Sequence, residues 1–328
     1  MQRAILLVFL LCLSGIAQAE SDSTVSEGLP VISEIGAVEK TGSFGGLAID
    51  IGSGNRSNST GDVSSDSWPV IAEVYTATWC DNCLDSEAAV SDVANTHSIE
   101  RLHYHRYYSE IQDPFGTEVG DDRWINRFGP TNARATDGLE RLPPAVVFNG
   151  EWLHSGSVAR GEGTLIDDYE SSVVLGSSLP LNDLSASLTW SPDDGTNGTV
   201  NWAISENIDS ITMPDIRGDD CPDFDSPSIR PILYVVEEIA RYENGSNGLE
   251  NYPHIIRDIH HLQLEGPTSI TLPEIWDGED FRLVLVFDWE MQYGEYECNQ
   301  EEAGFLPASG VFSSLFVLTF VSVALRKK

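Results

Sequence analysis

Trp79-Cys80-Asp81-Asn82-Cys83 constrains this chain more than any other segment, because it sets two thiols two residues apart between two different periodicities. Val70 to Ala77 is a short apolar run of strand character. Cys80 to Asn95 lacks Gly and Pro, and Leu84, Ala88, Ala89, Val90 and Val93 recur near helical spacing. A strand-to-helix junction puts Cys80 on the first helical turn, where unpaired N–H groups and the helix dipole favour a thiolate. Cys83 falls three residues on, along the same face, within reach of a disulfide. The pattern predicts thiol–disulfide chemistry at Cys80 and Cys83. A zinc site would need two further ligands, and Cys221 and Cys298 are distant and form no second Cys-x-x-Cys.

A second signal stands downstream. Leu142-Pro143-Pro144 leads into Ala145 to Phe148, then an Asn149-Gly150 turn and a hairpin partner at Trp152-Leu153-His154. Between the two signals, Arg101 to Tyr108 has strand character and Asp113-Pro114-Phe115-Gly116 is a turn. Thr117 to Phe128 reads as a helix ended by Gly129-Pro130, and Gly163 to Leu175 as a closing helix.

Strand, Trp-Cys-x-x-Cys, helix, then Pro-Ala-Val-Val-Phe-Asn-Gly resembles the thioredoxin superfamily. The resemblance is closest to secreted thioredoxin-like proteins of the bacterial outer-membrane lipoprotein type, in which a β-sandwich trails the thioredoxin domain. The matching pieces are Glu73 to Cys83, Asp113 to Gly116 and Pro144 to Gly150. It implies Cys80 as nucleophile, Cys83 as resolving thiol, and Trp79 and Pro144 at a substrate-peptide groove, with Pro143 in reserve for the cis-proline. It implies no cofactor and no metal. One departure concerns protons. The family's buried acid, six residues before the first cysteine, is replaced by Val74, and strand alternation turns Glu73 to the opposite face. Asp81 also places a negative charge beside Cys80, which opposes the thiolate.

The ends speak of compartment. Residues 1–19 carry Arg3, an apolar core and Ala17-Gln18-Ala19, the pattern of a cleaved signal peptide. Four cysteines then remain, and Cys221 with Cys298 is expected as a structural disulfide. Asn-x-Ser/Thr triplets begin at Asn55, Asn58, Asn197 and Asn244. Residues 304–325 hold no charge and precede the basic tail 326–328, which predicts a transmembrane helix or a surface-sorting helix; Leu306-Pro307-Ala308-Ser309-Gly310 resembles sortase-type signals. The expected location is the cell membrane or cell surface, with a single span and the ectodomain outside. A net charge of −34 excludes nonspecific nucleic-acid binding.

Residues 20–67 are rich in Ser and Gly and read as linker, with an edge strand at Val31 to Val38. From residue 179, short alternating runs separated by turns predict a β-sandwich over 179–300. Tyr252-Pro253-His254-Ile255-Ile256-Arg257 is a short match to the trailing domain of the same lipoprotein-type family. His254, Arg257, His260 and His261 read as a polar face rather than a metal site, and Asp219 to Asp225 as a solvated loop.

The expected fold is therefore an α/β thioredoxin-like domain (68–178) followed by an all-β, Ig-like sandwich, with a C-terminal transmembrane helix. The expected function is an anchored extracytoplasmic thiol–disulfide oxidoreductase. Its partners would be exported protein thiols and disulfides, an unidentified redox partner, and the membrane. The alternative is a non-catalytic surface binding or adhesion protein with a structural Cys80–Cys83 bond.

Overall fold

Burial on both faces turns the apolar runs of this chain into one broad sheet. In the computed structural model, residues 26, 28–32, 38–52, 57–64, 67–181, 183–205, 227–264, 266–277 and 280–292 are described. They belong to a unit formed by Met1–Pro214 and Phe224–Tyr293; a second unit, Asp215–Asp223 with Gly294–Lys328, lies outside them. The strands are β1 (Leu29–Pro30), β2 (Val38–Asp50), β3 (Ser59–Val63), β4 (Val70–Thr76), β5 (Ile99–His105), β6 (Ala145–Phe148), β7 (Trp152–Ser155), β8 (Ala186–Pro192), β9 (Asn197–Ile204), β10 (Ser228–Arg241), β11 (Asn251–His261), β12 (Thr268–Thr271) and β13 (Phe281–Gln292). The helices are α1 (Asp81–Ala94), α2 (Glu118–Ala135) and α3 (Leu165–Leu175).

Nine of these strands form one mixed sheet in the order β1-β7-β6-β4-β5-β11-β10-β13-β2, and four form a second sheet, β12-β9-β8-β3. This corrects the expected fold class. The region 179–300 is not a separate sandwich after an α/β domain; β11 pairs in parallel with β5, with Ile255 opposite His103, and carries β10 and β13 into the same sheet. The physical reason is an open edge. After β4 takes one side of β5, the other side needs partners for its backbone groups, and alternation within a strand does not say which edge it will join.

The linker expected at 20–67 is also corrected. β2 runs thirteen residues against β13, burying Phe44, Leu47 and Ile49, and β3 pairs with β8. Gly45 hides this strand from composition. It sits at φ 126° where the register with β13 shifts between Leu285 and Val286, and a Cβ there would lie 2.7 Å from the Leu285 carbonyl oxygen. A further difference is α2, which runs through Gly129-Pro130 to Ala135. The helix expected at 304–325 and the pairing of Cys221 with Cys298 lie outside the described residues. Among the described residues no helix is long and apolar enough to cross a membrane.

Alternation along the large sheet sorts three apolar layers. Ile71, Tyr75, Tyr104, Tyr234 and Val286 pack with Trp124 and Phe128 of α2 on one face. On the other face, Ala72, Val74, Val146 and Phe148 meet Val90 and Val93 of α1 and Tyr169 and Val173 of α3. Further along, Leu233, Val235, Leu283 and Leu285 pack with Leu188, Trp190 and Val200 of the second sheet.

Candidate functional site: a disulfide at the start of α1

β4 runs at the centre of one half of the large sheet, and α1 begins five residues after it. Cys80 is the N-cap residue of α1, in extended conformation and with no side-chain cap. The Cys80 N–H donates to the Ala77 carbonyl (3.0 Å) and the Cys83 N–H to the Cys80 carbonyl (3.2 Å), so a tight turn brings the sulfurs together. Cys80 and Cys83 form a disulfide with Cα atoms 5.4 Å apart. Cys80 retains 6% exposure and Cys83 none. The helix terminus presents its unsatisfied N–H groups to Cys80, while exposed Asp81 adds an acid to the first turn.

The Trp79 indole N–H donates to Glu110 Oε2 at 2.8 Å. Glu110 Oε1 accepts the amides of Ile111 (2.8 Å) and Gln112 (2.7 Å). Burial opposes the charge on Glu110, but these amides and the indole outweigh it and hold the carboxyl below its ordinary value. Pro143 and Pro144 are buried and joined by a cis peptide bond. Pro144 immediately precedes β6, whose Ala145 stands opposite Tyr75, so it lies at the end of β4 from which the cysteine turn departs. The β6–β7 hairpin turns at Asn149-Gly150, with φ 50° and 62°.

The turn is held from below by groups whose role sequence reasoning missed. Asp113 Oδ2 accepts the Thr78 N–H (2.9 Å) and lies 2.8 Å from His105 Nδ1, while Oδ1 accepts the Phe115 N–H (3.0 Å). The side chains of His105 and Asp113 are buried. Gly116 lets this loop close: a Cβ there would lie 2.0 Å from the Arg106 carbonyl oxygen. From the β10–β11 connection, the Asn247 N–H donates to the Thr78 carbonyl (3.2 Å), and the Tyr252 hydroxyl donates to Asn247 Oδ1 (2.8 Å). The Asp-Pro-Phe-Gly turn was a visible signal for Asp113, whereas nothing local marks Asn247 as a neighbour of Thr78.

Glu73 is fully buried on the face opposite Val74, as alternation requires. It accepts from the hydroxyls of Tyr104 and Tyr234, the latter at 3.2 Å, with Arg123 Nε at 3.6 Å. On the Val74 face the acid is Glu87 of α1, partly buried, which accepts from Thr76 Oγ1. Burial pushes the Glu87 carboxyl up; the Thr76 hydrogen bond and His105 work against that, and Asp113 adds to it.

His254 stacks edge-on against His103 with ring centres 5.5 Å apart, and Arg257 pairs with Glu237. Among the described residues, no group of three or more His, Cys, Asp or Glu is placed to hold a metal ion. A cavity of about 550 Å³ opens on the α2 face, lined by Arg123, Arg127, Arg230, Asp288 and Glu290. It does not include the cysteines.

No family model and no curated protein matches this chain. Two solved structures are similar to it in part. A crystal structure of a protein from Agrobacterium tumefaciens aligns with 15% identity and a TM-score of 0.36, over 62% of this chain and 78% of that one. HBP35 of Porphyromonas gingivalis aligns with 14% identity and a TM-score of 0.38, over 66% of this chain and 68% of that one. Scores this low assign neither fold nor function.

Proposed function

We propose that the protein is an extracytoplasmic thiol–disulfide oxidoreductase working through Cys80 and Cys83. The observation that carries this reading is the asymmetry of the pair: the disulfide sits at a helix start, where Cys80, though largely buried, keeps 6% exposure and Cys83 has none. An accessible sulfur is open to attack by a client thiol, and a sealed one serves to resolve the mixed disulfide. Proposed membership of the thioredoxin superfamily has further support in the parallel β4–α1–β5 succession and in β6–β7 beside it. Trp79 and Pro144, at the same end of β4, are the proposed client-contacting residues. Clients are exported protein thiols and disulfides, consistent with the signal-peptide pattern of residues 1–19.

Trapping tests this directly. Cys83→Ser is expected to accumulate mixed disulfides with a disulfide-bearing peptide, and Cys80→Ser to accumulate none. After mild reduction, alkylation should label Cys80 well ahead of Cys83. Equal, slow labelling together with no trapping by either variant would abandon the oxidoreductase reading for a binding protein with a structural bond.

A further inference from the structure

A disulfide closes only after its buried thiol gives up a proton, and it reopens only when that sulfur receives one. Cys83 is fully buried, and the β4 side chain beneath it in the family pattern is Val74, which has no proton to trade. Glu87 follows Cys83 by four residues on α1, so the two share a helical face with Cβ atoms roughly 5–6 Å apart. Its carboxylate is fixed by Thr76 Oγ1. Opposite Thr76 across the parallel pair of β4 and β5 stands His105. Asp113 takes the Thr78 N–H on the same oxygen that faces His105 Nδ1, which makes it an acceptor. The ring proton then belongs on Nδ1 and the lone pair on Nε2. That Nε2 is buried and has no hydrogen-bond partner. A buried ring nitrogen left without a partner is unfavourable, and the ring is near enough to Glu87 to favour its charged form.

We propose that Glu87 carries the proton of Cys83 during thiol–disulfide exchange and shares it with the Asp113-oriented His105, forming a relay beneath the Cys80–Cys83 turn. The proposal rests on the exchange chemistry above. In the direction that reduces a client, the Cys80 thiolate attacks one sulfur of the client disulfide. The client S–S bond breaks, a Cys80–client bond forms, and the first client thiolate leaves to be protonated by solvent. Cys83 then passes its proton to the Glu87 carboxylate and attacks Cys80 Sγ. The Cys80–Cys83 bond forms as the Cys80–client bond breaks, and the second client thiolate departs and is protonated. The client gains two electrons and the cysteine pair loses two. A dithiol donor reopens the pair, with the proton returning to Cys83 along the same path. Asp113 is a positioning residue in this scheme. The groups facing the relay are Thr76 from β4, His103 from β5 and Tyr252 from β11, besides Asp113 itself. The upward push of burial on Glu87 brings its proton exchange closer to neutrality.

The test uses Glu87→Gln, which keeps an acceptor for Thr76 and loses the exchangeable proton, and His105→Gln. Exchange with a quenched disulfide peptide is followed across the neutral pH range. The resolving step is expected to slow about 100-fold near pH 7 in Glu87→Gln and to recover as pH approaches the ordinary thiol value of about 8.5. Capture of the peptide by Cys80, read in a Cys83→Ser background, should not change. A second readout needs no activity: infrared difference spectra of the wild type before and after reduction by a phosphine should contain a Glu87 carboxyl band, absent in Glu87→Gln. A wild-type pH profile in both variants with no such band would overturn the relay and leave the exchange reading standing. If the wild type exchanges nothing, the exchange reading falls and the infrared band alone decides: a band that moves with the state of the cysteines keeps the coupling, and a static one ends it. If Glu87→Gln does not fold, the pH profile of His105→Gln and the wild-type spectrum decide between the same two outcomes.

Discussion

Asp288→Asn probes the ion pair that ties α2 to two strands of the large sheet. Asp288 on β13 is 4% exposed. It accepts from Arg123 Nη1 and Nη2 of α2 at 2.7 and 3.0 Å and from Ser43 Oγ of β2 at 2.9 Å, with Arg127 at 3.5 Å. Arg123 also approaches Glu73, so two guanidinium groups face two carboxylates away from water. Asparagine keeps an oxygen for Ser43 but removes one of the two negative charges. Burial alone would raise the Asp288 carboxyl, yet Arg123 and Arg127 outweigh it and hold it well below its ordinary value. Removing one partner of a buried pair costs about 3–5 kcal/mol. At roughly 2–4 °C per kcal/mol for a chain of this size, Tm should fall by about 6–20 °C. Urea unfolding followed by tryptophan fluorescence reads the same loss as a lower midpoint at constant slope. The sign with pH is also set. A depressed carboxyl contributes fully above its unfolded value of about 3.9 and loses that contribution as pH falls through it toward the folded value. The gap between wild type and variant should therefore close in acid. A loss below about 1 kcal/mol, the worth of an exposed pair, would refute the burial argument.

Two other perturbations follow from single contacts. Gly116→Ala places a Cβ 2.0 Å from the Arg106 carbonyl; it should cost about 1–3 kcal/mol in urea and speed phosphine reduction of the Cys80–Cys83 bond by shifting Asp113. Burial holds His154 down to about 4, with Asp168 opposing and Arg160 assisting. The unfolded chain therefore takes up that proton first as pH falls below about 6.5, and between pH 7 and 5 the wild type should lose about 2 kcal/mol more than His154→Gln; parallel losses in urea at the two pH values would show that His154 is solvated.

Local chemistry was legible along the chain where neighbours in sequence decide the geometry. The apolar run before Cys80, the helix after it and the Asn149-Gly150 hairpin follow from short-range rules, and they bring Trp79, Cys80, Cys83 and Pro144 to one end of β4. What long-range pairing decides was hidden. The backbone of β5 does not announce that β11 will take its open edge, and the glycines that let β2 bend along β13 make that strand look like linker. Asn247 and Tyr252 reach the Thr78 carbonyl only because β11 lies beside β5. The His105–Asp113 pair was within reach of the sequence, since Asp113 opens the Asp-Pro-Phe-Gly turn, but the partner of a turn carboxylate is set by how the loop folds back.

The placement of β2 dictates an order of events at the ribosome. Ser43 and Asp288, bonded in the finished sheet, stand 245 residues apart in the chain. At about 5–20 residues per second, β2 emerges roughly 12–50 s before β13 exists to receive it. Throughout that interval the β2 backbone has no β13 edge to pair with. The first long strand to be synthesised is thus among the last to dock, and the nascent chain has a stretch of apolar edge to shelter from neighbouring copies.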